Sequence, residues 1–174
     1  TDFATNAFLG SAVGMAWLVA YGVPSGKLKS VFFVEKRGLH ILRGMTVCFQ
    51  FLLAVYTFSL LPLATAYSLI FCAPFLTALL ARIYLNETVS KVAVITIIFG
   101  LLGVLVILRP GFNVMSIGYL TAIGTAFFIA CMNVLATKIG PQKDNGFAFA
   151  FYALFFILVV AGTLSFFTGA LPPS

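Results

Sequence analysis

Six apolar stretches, near residues 3–21, 41–61, 63–84, 92–109, 116–137 and 147–168, leave this chain few folds to choose from. Each is about as long as a helix that crosses a bilayer, since a hydrocarbon core about 30 Å thick takes about 20 residues at about 1.5 Å each. A membrane β-barrel would need shorter segments alternating at every second residue, whereas these are continuously apolar and rich in Leu, Ala and Phe. Composition agrees: with 62% hydrophobic and 8% charged residues, the chain has too little charge to stay dispersed as a soluble globule. The expected fold is an all-α polytopic membrane helix bundle of about six transmembrane helices.

The net charge of +6 sits in the short connections between these stretches and is not interleaved with stacking aromatics. That excludes a nucleic-acid partner and reads as a topology signal. Lys27, Lys29, Lys36, Arg37 and Arg43 follow the first stretch, Arg82 and Lys91 flank the turn after the third, and Lys138 and Lys143 follow the fifth. If the helices alternate in direction, only Arg109 of the ten Lys and Arg residues falls on the opposite side. The positive-inside rule makes the crowded side cytoplasmic and puts both ends of the chain outside a cytoplasmic membrane. Because the chain starts at Thr1 with no signal-peptide pattern, one further helix upstream is expected, and the chain reads as a fragment.

Little in the chain points to chemistry. Cys48, Cys72 and Cys131 lie inside apolar stretches without metal-ligand spacing, so they read as small packing residues and no metal or cofactor is expected. His40 sits at a helix start with no Ser, Asp or Glu placed to form a triad with it. Arg43, about a turn further in, is expected to snorkel to the headgroups. There is no Gly-x-Ser-Gly with a facing His, no His-Glu-x-x-His and no paired intramembrane Asp, so an enzyme is not expected.

The polar residues inside the stretches carry more information. Gln50, an amide near mid-membrane, must find either an interhelical partner or a polar cavity. Tyr56 lies further out on the same helix. Leu60-Leu61-Pro62 is a tight turn, after which Thr65, Tyr67 and Ser68 occupy the outer half of the third stretch. Pro74 near its centre lacks an N–H and frees the carbonyl around Ile70, which predicts a kink beside a cavity. Asn133 in the fifth helix would serve an interhelical bond or a vestibule. Gly10-x-x-x-Gly14 and Gly100-x-x-Gly103 have the spacing of close helix contacts. The sixth stretch, aromatic and nearly without polar groups, reads as lipid-facing or packing.

In order and spacing, several motifs resemble the EamA-domain transporters of the drug/metabolite transporter superfamily. They are His40-Ile41-Leu42-Arg43-Gly44, Tyr56 ahead of Leu60-Leu61-Pro62-Leu63-Ala64-Thr65-Ala66, Ala73-Pro74-Phe75, Leu85-Asn86-Glu87, Gly100-x-x-Gly103 and Leu108-Arg109-Pro110. That resemblance implies part of a ten-helix carrier built from two inverted five-helix repeats, with a substrate site near the midplane between them. The six helices would be helices two to seven: a first repeat over residues 1–112 lacking its opening helix, and the beginning of a second over 113–174. It further implies alternating-access transport of a small organic metabolite or drug, and the Ile-Leu-Arg-Gly start resembles the branch that includes S-adenosylmethionine transporters. Gln50, Tyr56, Tyr67, Ser68, Pro74 and Asn133 are then the expected cavity residues, the tyrosines offering aromatic faces to a cationic or planar ligand. The partners are a small-molecule substrate and the lipid bilayer, with the oligomeric state open, a homodimer included. No acid lies inside any stretch, so a carboxylate-based proton mechanism is not expected. The competing reading is a non-transporting structural subunit of a membrane complex, in which the mid-helix polar residues would be buried in helix contacts.

Overall fold

A computed structural model describes residues 3–32, 34–86, 90–108, 117–141 and 145–167. Among them all regular structure is helical: α1 (Phe3–Gly22), α2 (Lys27–Phe32), α3 (Arg37–Leu60), α4 (Leu63–Ile70), α5 (Ala73–Tyr84), α6 (Lys91–Leu108), α7 (Ile117–Ile139) and α8 (Asn145–Phe167). Four segments are long and apolar enough to cross a membrane, Arg37–Leu60, Leu63–Tyr84, Ile117–Ile139 and Gly146–Phe166. With α1 and α6 on two of the expected stretches, the chain is an all-α membrane helix bundle.

Local chemistry sets the ends. After α1 the backbone turns through Gly26 at φ +67°, and the Ser25 hydroxyl donates to the Tyr21 carbonyl at 2.6 Å. Asn86 (φ +53°) and Gly140 (φ +78°), residue types that tolerate the left-handed region, follow the ends of α5 and α7. Two features depart from the sequence expectation. The basic connection after α1 contains the short helix α2, anchored by the fully buried Val31. The predicted kink at Pro74 is a break: α4 stops at Ile70, Cys72 N–H bonds the Leu69 carbonyl at 3.0 Å, and α5 starts with Pro74 in its first turn. A proline there gives up a donor that a helix start does not use.

The chain divides into two compact units, residues 1–48 with 139–174 and residues 49–138. In the first, α8 is the hub. Phe8, Gly14 and Gly22 of α1 meet Gly162, Leu154 and Phe147 in reverse order, an antiparallel pair. The first half of α3 runs parallel to α8, with His40 against Phe149, Gly44 against Tyr152 and Cys48 Sγ 3.6 Å from the Phe156 carbonyl. A Cβ on Gly44 would stand 2.9 Å from Tyr152 Cβ and from Phe156 Cδ2, so only glycine permits this approach. The Tyr152 hydroxyl donates to the Val31 carbonyl at 3.2 Å and ties α2 to the same hub. Lys36 Nζ donates to the Ile139 carbonyl at 3.3 Å, which puts the basic connection before α3 and the end of α7 at one end of this unit.

In the second unit, the remainder of α3 is antiparallel to α7: Phe49 stacks on Phe128, Leu53 touches Gly124, Thr57 meets Thr121 and Leu61 packs on Gly118. Leu61, Ala66 and Ala122 form the buried cluster where α3, α4 and α7 converge, flanked by Phe58, Leu69 and Tyr119. α6 lies on α4 and α5. Gly10, Gly100 and Gly103 have open space where a Cβ would be, so their spacing serves no close contact among the described residues. Closest approach falls instead at Gly22, Gly44 and Gly118.

Hydroxyls in the helices behave alike. Those of Ser11, Thr46, Ser68, Thr77, Thr96, Thr125, Thr137 and Thr163 each donate to a carbonyl three or four residues back, at 2.7–3.2 Å. Such bonds satisfy the hydroxyl inside its own helix.

Candidate functional site

All six residues expected to face a cavity, Gln50, Tyr56, Tyr67, Ser68, Pro74 and Asn133, fall in the second unit. Gln50 is half-buried and sits two turns before Thr57, on the α3 face that meets α7. No described residue hydrogen-bonds its amide. Asn133 is exposed and points its amide from α7 to α5, with Nδ2 3.5 Å from Thr77 Oγ1. Thr77 in turn donates to the Ala73 carbonyl at 2.8 Å, so a polar chain runs from Asn133 to the first turn of α5, beside the break. Pro74 is exposed at that break.

Tyr67 is 51% exposed, with one side of its ring held against Phe58 at 5.1 Å between centroids. The exposed half of the side chain is enough surface for contact with a planar or cationic group. Tyr56, 49% exposed, is not brought beside it. Phe58 is the α3 residue that reaches Tyr67, and two residues along a helix turn the side chain by about 200°, so Tyr56 projects from the opposite flank. Ser68 is half-buried and its hydroxyl is bonded to the Ala64 carbonyl at 2.7 Å. Gln50, Asn133, Pro74 and Tyr67 thus mark three places on α3, α4, α5 and α7, and Tyr56 lies apart from them. A shallow apolar groove of about 130 Å³ between α5 and α6, lined by Phe75, Leu79, Arg82 and Val94, contains none of the six.

Sequence reasoning missed a threonine seam. Thr57 is 0% exposed, its Oγ1 lies 2.8 Å from the Leu53 carbonyl and 3.0 Å from Thr121 Oγ1, and Thr121 bonds the Gly118 carbonyl at 3.0 Å. Thr125, also fully buried, continues the line. The recoverable signal was spacing, since Thr121 and Thr125 are four residues apart on one face. His40, at the helix start as expected, has surroundings that the sequence did not show: it is 1% exposed, packed against Phe149 and Tyr152. Arg43 is half-buried with its guanidinium 4.0 Å from the Phe149 ring centroid. No group of described His, Cys, Asp and Glu side chains could hold a metal ion.

Three curated relatives share this sequence pattern at low identity. The chain is 27% identical over 154 residues to an S-adenosylmethionine uptake transporter of Rickettsia bellii, covering 88% of this chain and 50% of that protein. Proteins of the same description match at 25% identity in Rickettsia conorii, over 154 residues with the same coverage, and in Rickettsia prowazekii, over 146 residues, 84% of this chain and 47% of that protein. No family model and no solved structure matches the chain. The chain therefore spans about half the length of the curated relatives it matches.

Proposed function

We propose that this chain is part of a secondary transporter that moves a small, amino-acid-derived metabolite across the cytoplasmic membrane by alternating access. The observation that carries this reading is the similarity, over most of the chain, to proteins described as S-adenosylmethionine uptake transporters. A bundle of membrane-length helices with unpaired or weakly paired amides is what such a protein requires. On the EamA pattern, the spans correspond to helices two to seven of ten, with the repeat boundary between residues 112 and 113, which lie outside the described residues. Both ends are then extracytoplasmic. Tyr67 supplies an aromatic face, Gln50 and Asn133 supply amide donors and acceptors, Tyr56 and Ser68 line the path, and the break at Pro74 shapes its wall.

The test is uptake of radiolabelled S-adenosylmethionine by proteoliposomes holding the full-length protein. Saturable uptake is expected. Tyr67→Ala should raise KM about two- to thirtyfold, the range of a cation–π contact of about 0.5–2 kcal/mol, and Gln50→Ala should lower uptake with normal expression. Unchanged kinetics in both variants would remove these residues from the site. Absence of saturable uptake for this and related amino-acid derivatives would favour a structural subunit instead.

A further inference from the structure

Two side chains in the first half of α3 have more hydrogen-bonding capacity than the protein uses. His40 is buried, and neither of its ring nitrogens has a partner. Its ring lies 5.1 Å from that of Phe149 and 6.1 Å from that of Tyr152. Arg43, one turn further on, sets its guanidinium on the same Phe149 ring, and its buried Nε–H is also unbonded. Residues three apart share a helix face, so both polar groups converge on one place beside α8.

No described acid stands beside that place. Arg43 lies inside the span Arg37–Leu60, where a guanidinium calls for a counter-charge or polar partners. Among the described residues the one acid is Glu35, which is exposed and lies ahead of α3. Tyr152 cannot serve His40 as a donor, because its hydroxyl proton is given to the Val31 carbonyl. The Phe149 ring, 4.0 Å from the guanidinium carbon, offers no hydrogen-bond acceptor to the unbonded Nε–H, and the N–H edge of a guanidinium matches the paired oxygens of a carboxylate or phosphate.

We infer that His40 and Arg43 form a binding site for an anionic oxygen group, a carboxylate or a phosphate, with the guanidinium edge as the fork and the imidazole as the second donor. The half-buried Arg43 is the open side of the site and the enclosed His40 its floor. The close contact of Gly44 with Tyr152 and Phe156 holds α3 on α8 and fixes the wall. Such a group could belong to an anionic phospholipid headgroup or to a soluble solute, and the assignment does not rest on the transport reading.

The experiment uses the full-length protein in phosphatidylcholine nanodiscs. Thermal shift is titrated with inorganic phosphate and with glycine, and bound lipid is counted by native mass spectrometry after addition of phosphatidylglycerol. Arg43→Gln and His40→Gln should each weaken the responding probe by about ten- to a hundredfold, the loss of a hydrogen bond to a charged group. Arg82→Gln, on α5, should leave it unchanged. A response confined to phosphatidylglycerol identifies a lipid headgroup and one confined to phosphate or glycine identifies a solute, and either upholds the site. Should Arg43→Gln fail to fold, Arg43→Lys keeps the charge without the fork and should still lose affinity. Equal responses in wild type and the Arg43 variant, or no response to any probe, would overturn the assignment.

Discussion

Gly44→Ala should loosen the seam between α3 and α8. The added methyl would lie 2.9 Å from Tyr152 Cβ and from Phe156 Cδ2 and 3.0 Å from the Tyr152 backbone carbon. Carbon pairs prefer about 3.5–4.0 Å, and a backbone atom cannot swing aside, so the helices must part by about half an ångström or more. A gap of that size forfeits a quarter or more of each dispersion contact along the seam, including those of His40 with Phe149 and Cys48 with Phe156. Overpacking of this kind costs about 1–3 kcal/mol. Alanine returns up to about 1 kcal/mol of helix propensity, leaving a net loss of about 1 kcal/mol at the middle of that range and about 2 kcal/mol at its upper end. At about 2–4 °C per kcal/mol for a chain of this size, Tm should fall by about 2–4 °C, and by no more than about 8 °C. The assay is a thermal ramp in detergent with a thiol-reactive dye, for which the buried Cys48 is a reporter within the seam. Gly10→Ala, which meets open space, is the control and should hold or raise Tm. A Gly44→Ala protein as stable as the Gly10→Ala protein would refute the packing argument.

The threonine seam gives a second test: in a double-mutant cycle, Thr57→Val and Thr121→Val should show a coupling of about 0.6 kcal/mol and no more than about 1.7 kcal/mol, read from thermal or denaturant unfolding. Zero coupling would mean that each hydroxyl serves only its own helix. Pro74→Ala restores an N–H facing the Ile70 carbonyl and should join α4 and α5 into one helix. Spin labels placed on Leu63 and Tyr84 would then report a longer and narrower distance distribution, and uptake by the full-length protein should fall. An unchanged distribution would show that the break does not depend on the proline.

Helix existence was legible because unbroken apolar length is a local property, and each expected stretch matches a helix or, around Pro74, a pair of helices. Neighbours were not. Nothing local to α3 shows that His40 is enclosed; it is buried because α8, more than a hundred residues away, lays Phe149 and Tyr152 over it. The glycine spacings failed for a related reason. Gly100 and Gly103 satisfy a pattern that allows close approach, but no described residue approaches them. Gly44, without that pattern, is where two helices press together. α2 escaped notice because six residues with two lysines carry no periodic signal, and its stability comes from Val31 and the Tyr152 bond. Around the candidate site, the amide of Asn133 and a helix distortion at Pro74 were readable from residue type, whereas the form of that distortion as a break was not, and the divergence of Tyr56 from Tyr67 depends on which flank of α3 receives α4.

The hydroxyl bonds within the helices change how polarity in such a chain should be counted. A serine or threonine has one proton to place, and a carbonyl one turn back takes it, so the side chain meets lipid with its donor already discharged. A primary amide has two protons, and a helix carbonyl in reach absorbs at most one of them. Ser68 therefore has no proton left to give a ligand despite its place in the candidate site, since the Ala64 carbonyl holds it, and its oxygen can only accept. Gln50, and Asn133 with its long contact to Thr77, keep donors in reserve. In a bilayer, a path for a polar solute is marked by amides and guanidinium groups, and hydroxyls can populate the same helices without marking one.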